Sequence, residues 1–139
     1  MPDAPGNLSP AVRDYLAAPP RHATLVTLGP QGDPHLTVVW FALDGDAVLV
    51  NSRVGRRWPT ELAADPRCAM TVIDHDIDAE LYVVMQAQAM VVATGDQALA
   101  DIRSLARRYG GDPEDFAGQS RISFHLRPTS VVVHGALAA

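Results

Sequence analysis

The sequence predicts an α+β fold, built on an antiparallel β-barrel with short flanking helices. Three observations indicate this class. Strand-like runs are joined by tight turns, one long run alternates, and helical patterns are restricted to short segments between strands. A doubly wound parallel sheet is not favoured, because hairpin turns and not regularly alternating helices connect the strands. With 139 residues, the chain is predicted to form a single domain over residues 1–139.

The helices are predicted from their caps and stop signals. Ser9-Pro10 is typical of an N-cap followed by proline at the first helical position, and predicts a helix through about Ala18. A second helix is predicted within Gly55–Ala64, where a proline is acceptable only in the first turn. The third is predicted over Asp96–Tyr109, whose apolar stripe ends before Gly110-Gly111.

Six or seven strands are predicted from branched and alternating residues. Asp44-Gly-Asp46 is expected to form a tight hairpin turn. The longest strand is expected to bend or bulge, and its core face to carry Leu81, Val83, Met85, Ala87 and Ala89. The predicted strands are His22–Leu28, Pro34–Leu43, Ala47–Asn51, Arg67–Asp74, Glu80–Thr94, Arg121–Leu126 and Val131–His134.

Composition excludes several classes of function. A net charge of -5 argues against a nucleic-acid partner, and no apolar run reaches the roughly 18 residues of a membrane span. Cys68 is the sole cysteine, and no signal peptide is recognisable, so a cytoplasmic location is expected. All 11 basic side chains are arginine, which indicates a GC-rich bacterial genome such as an actinobacterial one.

Motifs for several chemistries are missing from the sequence. It contains neither a glycine-rich phosphate loop nor a nucleophile elbow, and its five histidines are scattered singly, so no metal is predicted. The acidic segment Asp74–Asp78 is interpreted as a solvated turn, because a calcium loop would need glycine at Ala79 and glutamate at Met85. Cys68 is interpreted as a buried, inert thiol.

The segment from Asn51 to Trp58 is the candidate site. Arg53, Arg56 and Arg57 follow Asn51 and Ser52 at a strand end, just before a helix start, an arrangement that favours an anion. The alternative is a solvated basic turn paired with Glu61 or Asp65. Trp58 either fastens the helix onto the barrel, the commoner use of a lone tryptophan, or lines a cofactor groove.

An ordered set of segments carries a family resemblance. The chain resembles the pyridoxamine 5'-phosphate oxidase-like (PPOX) class, and within it the B-type branch of F420-dependent flavin/deazaflavin oxidoreductases. The matching segments run nearly from end to end: Ala23-Thr-Leu-Val-Thr-Leu28, Gly32-Asp-Pro-His-Leu36, Val38-Val-Trp-Phe41, Gly55-Arg-Arg-Trp-Pro59, Leu62-Ala-Ala-Asp-Pro-Arg67, the long strand through Tyr82, and Arg107-Arg-Tyr-Gly-Gly111.

The resemblance implies an FMN-binding split barrel that forms a homodimer with two cofactor sites at the subunit interface. Ser52 and Arg57 match the positions that meet the cofactor phosphate, with Arg53 and Arg56 as helpers. The strand through Val38, Val39 and Trp40 would lie along the ring system. The cofactor-binding residues predicted on this basis are Val38, Trp40, Asn51, Ser52, Arg53, Arg56, Arg57, Trp58 and Pro59.

The sequence also departs from the family pattern. Many relatives carry lysine at the position of Trp58, asparagine at Glu61 and glycine at Ala87. The first change removes a point charge from the phosphate or ring region.

The implied function is an F420-dependent oxidoreductase that transfers a hydride from reduced deazaflavin to a small electron-poor organic substrate. The alternatives are an FMN-binding oxidoreductase of the same fold and a non-catalytic F420 carrier. No acid–base pair is predicted. His35 could donate a proton, although a structural or surface role is the more common one for such a histidine.

Overall fold

The computed structural model describes residues 7–74 and 81–135. These residues form seven strands and three α-helices, with a short 3-10 turn at Pro113–Phe116 before the last strand. None of the helices in the described ranges has the length and apolar character needed to cross a membrane. In chain order the elements are α1 Pro10–Ala17, β1 Ala23–Leu28, β2 Pro34–Val39, β3 Ala42–Asp44, β4 Ala47–Arg53, α2 Arg57–Ala64, β5 Arg67–Ile73, β6 Tyr82–Thr94, α3 Gly95–Arg108 and β7 Arg121–His134.

All seven strands belong to one antiparallel sheet in the order β2-β1-β5-β6-β7-β4-β3. Its two edge strands, β2 and β3, are consecutive in the chain and separated by Trp40 and Phe41 alone. The connection from Val39 to Ala42 can span only roughly 10 Å. The sheet therefore curls until its edges approach without pairing, which confirms the predicted antiparallel split barrel.

The inner face of the curled sheet forms the core. Leu25, Met70 and Met85 are adjacent in the ladders of β1, β5 and β6, and all three are buried. The predicted core face of β6 is confirmed, since alternate residues from Leu81 to Ala89 are buried or half-buried. Cys68 is buried as predicted, and burial raises the pKa of its thiol to about 12.

The prediction of one strand over Pro34–Leu43 is wrong, because the chain leaves the sheet at Trp40 and Phe41. Phe41 is fully buried, and its backbone groups bond to α3 instead of to a strand. Its N–H donates to the Tyr109 hydroxyl at 3.1 Å, and its carbonyl accepts from Arg108 Nε at 3.0 Å. These two side chains replace the missing ladder bonds and let the chain cross between the sheet edges.

The prediction of separate strands at Arg121–Leu126 and Val131–His134 is also wrong, because β7 runs through both. Pro128 lies opposite Ala87 at a register shift, with Thr129 as the extra residue, so its missing N–H is accommodated at a bulge. A second shift between Val91 and Ala93 confirms the irregularity expected in the long strand. Greater twist at both points helps to curl the sheet.

The predicted helices and turns are largely as expected. The Ser9 hydroxyl accepts from the Val12 N–H at 3.2 Å and caps α1. The hairpin between β3 and β4 turns at Gly45, whose φ of +62° needs glycine. α2 begins at Arg57, later than predicted. Apart from Asp74, the predicted acidic turn lies outside the described residues.

Candidate functional site

A cavity of about 330 Å³ opens where the end of β4 and the turn into α2 face the end of β2, α3 and the start of β7. Seven of the residues predicted from sequence line it: Val38, Trp40, Asn51, Ser52, Arg53, Arg56 and Trp58. Val39, which the resemblance places along the ring system, also lines it, and six further lining residues were not predicted: His22, Thr37, Ile102, Phe116, Gln119 and Arg121.

The structure does not bring the predicted Arg57 and Pro59 into this cavity. Arg56 is the extended N-cap of α2, whereas Arg57 is its first helical residue, and the two side chains have different neighbours. The Arg57 guanidinium lies 3.5 Å from Asp33 and 3.4 Å from Glu61. The ion pair with Glu61 is one of the two that were expected under the alternative of a solvated basic turn. Pro59 is buried in the first turn of α2.

Arg121 is the functional candidate that sequence reasoning missed. Its side chain is 8% exposed, and its hydrogen bonds go to neutral groups: Nε donates to Asn51 Oδ1 at 2.9 Å and Nη1 to Gln119 Oε1 at 3.0 Å. Within residues 7–74 and 81–135, no carboxylate pairs with it. Burial, together with the positive charges of Arg56 and Arg53, lowers the pKa of Arg121 to about 10.

Asn51 holds Arg121 in place. Its side-chain N–H groups donate to the Ala98 carbonyl at 2.9 Å and to Ser123 Oγ at 2.8 Å. Ser123 Oγ in turn donates to Asp101 Oδ2 at 2.7 Å. The Asn51 amide is therefore anchored to α3 and β7, while its oxygen fixes the guanidinium. Asn51 lines the cavity chiefly as a positioning residue.

Arg53 and Arg121 lie directly opposite each other in the β4–β7 ladder. Opposed like charges destabilise a strand pair. Arg56 lines the same cavity, whose lining includes no aspartate or glutamate among the described residues. The Ser52 hydroxyl, which has no hydrogen-bond partner in the described chain, lines the same cavity and adds a neutral donor to it. This end of the cavity is thus suited to a phosphate or a similar anion.

A row of aromatic side chains leads away from the arginines. The Arg121 guanidinium lies 5.2 Å from the Phe116 ring centre, and Phe116 meets Trp40 edge-on at 6.4 Å. Trp40 stacks on Tyr109 at 5.2 Å and 8°, and Tyr109 lies 5.5 Å from His22. The cavity therefore has a cationic end and an aromatic end, which together suit a planar ring system carrying a phosphate.

Trp58 has both of the roles that were considered for it: it packs α2 onto the barrel and it lines the cavity. It is 6% exposed and its ring lies 6.0 Å from that of Phe124 in the core, so it fastens α2 to the barrel. Its remaining surface lines the cavity. The indole therefore joins the cavity wall to the hydrophobic core.

His35 is not among the residues that line the cavity. It has a structural role, which was the alternative to proton donation. Its Nδ1 lies 3.0 Å from Glu61 Oε1, which also accepts from the Thr27 hydroxyl at 3.0 Å. This contact ties α2 to β1 and β2. Glu61, where many relatives have asparagine, is buried at the centre of these bonds.

A split β-barrel with a cation-lined, aromatic-walled cavity beside its open edge is the class of protein that these features define. Residues 8–134 match the sequence profile described as "Pyridoxamine 5'-phosphate oxidase". The chain therefore belongs to the pyridoxamine 5'-phosphate oxidase family.

Solved structures with the same fold have several functions. An F420 reductase is 29% identical over 86% of this chain and 94% of its own, with a TM-score of 0.72. A conserved hypothetical protein of Mycobacterium tuberculosis is 23% identical over 97% and 89%, with a TM-score of 0.76. The haem storage protein HutZ from Vibrio cholerae is 20% identical over 91% and 94%, with a TM-score of 0.69. None of the curated proteins matches the chain.

Proposed function

We propose that this chain is an F420-dependent oxidoreductase that binds the deazaflavin in the cavity and reduces a small electron-poor organic substrate. The opposition of Arg53 and Arg121 carries the proposal. These are two facing cations, and Arg121 is buried without a carboxylate partner among the described residues. An anion bound between them would offset both charges. A phosphate-bearing cofactor supplies that anion and, through its ring, the hydride chemistry.

The protein's own part is to hold and orient this cofactor. Arg53, Arg56 and Arg121, together with the Ser52 hydroxyl, would grip the phosphate, while Asn51 keeps Arg121 at a fixed angle. Trp40 is held flat against Tyr109 and offers a rigid wall for the ring system. A preformed site of this kind loses little conformational entropy on binding.

F420 is favoured over FMN by the similarity to an F420 reductase along 86% of the chain. An FMN-binding oxidoreductase remains the alternative function, because the phosphate grip and aromatic wall would serve either ring. A non-catalytic F420 carrier is the other alternative, motivated by a cavity whose described lining includes no carboxylate or thiol.

We further propose that the protein is a homodimer with cofactor sites at its interface. The outer face of the sheet exposes large apolar side chains, with Leu36 and Val38 both 65% exposed, Val132 60% and Ile73 56%. An exposed apolar face of this kind is typical of an interface. Val38 belongs both to this face and to the cavity lining, so a second copy seated there would border the cavity.

A cofactor screen tests the proposal. Purified protein is titrated with F420, FMN, FAD and haem, following fluorescence or absorbance. We expect F420 to bind at micromolar concentrations or below, and the bound reduced form to be oxidised by an unsaturated organic acceptor. Tight FMN binding without F420 binding would support the FMN alternative. F420 binding without any turnover would support the carrier.

A further inference from the structure

His22 lies at the aromatic end of the cavity, just before β1. Its side chain is exposed, and its one contact within the described residues is a tilted ring contact with Tyr109 at 5.5 Å and 56°. Arg121 stands at the other end of the row formed by Phe116, Trp40 and Tyr109. Nothing in the described chain therefore occupies the ring nitrogens of His22.

The chemistry of the other lining groups makes His22 distinctive. Three of them, Arg53, Arg56 and Arg121, are guanidinium groups, which do not serve as proton donors in proteins. The remaining lining groups described are hydroxyls, amides, indoles and hydrocarbons. Imidazole is the side chain that exchanges a proton near neutral pH. Of the described lining residues, His22 alone can act there as a general acid.

We propose that His22 is the proton donor of this cavity, a role that rests on the proposed F420-dependent reduction. When bound, the reduced cofactor would supply a hydride to the β-carbon of a conjugated enone substrate. The His22 imidazolium would give its proton to the α-carbon of the resulting enolate. The hydride and the proton together carry two electrons and two protons, so the enone would be reduced to the saturated ketone and the cofactor left oxidised.

The surroundings of His22 allow it to recharge after each cycle. Its exposed ring can take a new proton from water. The charged groups that share the cavity are Arg53 from β4, Arg56 from the turn before α2, and Arg121 from β7. Tyr109 from α3 faces the ring, whereas the neighbouring Arg21 side chain pairs with Asp74 at 3.3 Å.

Two substitutions separate acid catalysis from packing. His22→Phe keeps a ring against Tyr109 but has no proton to give, and His22→Gln keeps polarity without the acid. His125→Gln is the matched control, because His125 pairs with Asp44 at 2.9 Å and is not among the cavity residues. F420 affinity is measured first for each protein, followed by the oxidation of bound reduced F420 by 2-cyclohexen-1-one between pH 5 and 9.

We expect all four proteins to bind F420 within about threefold, because His22 lies away from the arginines. Wild type and His125→Gln should lose rate as pH rises through the range where histidine gives up its proton, near pH 6–7. Both His22 variants should be at least tenfold slower at pH 6, with a flat profile. An unchanged pH profile in both variants would overturn the assignment, whereas failure of wild type to bind F420 would overturn the proposed function beneath it.

A second readout does not depend on turnover. The imidazole NMR signal of His22, identified by its loss in His22→Gln, should shift when 2-cyclohexen-1-one is added to the complex with oxidised F420. The His125 signal should stay in place. A His22 signal that ignores the enone would overturn the proposal even where the variants are slow.

Discussion

Arg53 and Arg121 face each other as the last pair of the β4–β7 ladder, and no carboxylate among the described residues lies between them. Arg121 is buried and held by neutral amides from Asn51 and Gln119. Sheet pairing alone disfavours such a pair by about 0.2–1 kcal/mol. The two opposed charges destabilise the ligand-free fold, but they would strengthen the binding of an anion. The arrangement is therefore typical of an anion site.

Removing one of these charges should therefore stabilise the ligand-free protein. We expect Arg53→Gln to raise the free energy of unfolding by about 0.2–1 kcal/mol in urea denaturation at low salt, and less at high salt because of screening. Arg127→Gln, an exposed change on β7, the strand that pairs with β4, serves as the control. A destabilised Arg53→Gln protein would contradict repulsion between Arg53 and Arg121.

The family resemblance and the geometry of the structure lead to different expectations for Arg57. The resemblance implies a phosphate contact for Arg57, whereas the structure places its guanidinium against Asp33 and Glu61. We expect Arg57→Ala to change F420 affinity less than threefold and to lower stability by only about 0.2–1 kcal/mol, because the Arg57 side chain is 58% exposed and Glu61 keeps its contacts with His35 and Thr27. Fluorescence titration and urea unfolding measure the two effects. A tenfold loss of affinity would favour the resemblance.

The proposed dimer depends on the outer apolar face of the sheet. Val132→Asp places a carboxylate in the middle of that face, where Val132 is 60% exposed in the single chain. We expect a change from a dimer to a monomer near 15 kDa in sedimentation, since burying an unpaired charge is costly. Ala100→Asp, an exposed change on α3, should remain dimeric. A wild-type mass near 15 kDa at micromolar concentration would contradict the dimer outright.

Trp58 is expected to matter for stability as well as for the cavity. Trp58→Ala removes a buried ring that contacts Phe124, and should lower the free energy of unfolding by about 3–5 kcal/mol. Trp58→Phe should lose much less, because a ring remains. Ala63→Ser, an exposed change on the same helix, should stay within about 0.5 kcal/mol. A loss below 1 kcal/mol for Trp58→Ala would show that the packing role is wrong.

Local signals in the sequence predicted much of the fold and half of the cavity. Three of these signals depend on neighbouring residues alone: the proline after Ser9, the alternation along β6, and the basic turn at Arg53 and Arg56. The break at Phe41 could not be predicted, because the Arg108 and Tyr109 groups that satisfy its backbone lie 67 and 68 residues away.

Arg121 was missed for a related reason. Arg121, Ser123 and His125 alternate with apolar residues, a pattern typical of a strand face exposed to solvent. Only the tertiary fold reveals that α3 and the loop after it cover the start of this face. Asn51, which fixes Arg121, lies 70 residues earlier in the chain. Arg57 was predicted to meet the phosphate, and its pairing with Asp33 and Glu61 could not be foreseen, because adjacent arginines in a sequence do not reveal which way each points.

Titration of F420 into wild type and Arg121→Gln measures how much the buried guanidinium contributes to cofactor binding. We predict micromolar or tighter binding to wild type, and an affinity about 10–100 times weaker for Arg121→Gln, as expected for the loss of a charge-assisted contact worth roughly 1.5–3 kcal/mol. Equal affinity for the two proteins, or wild type that does not bind F420, would contradict this prediction.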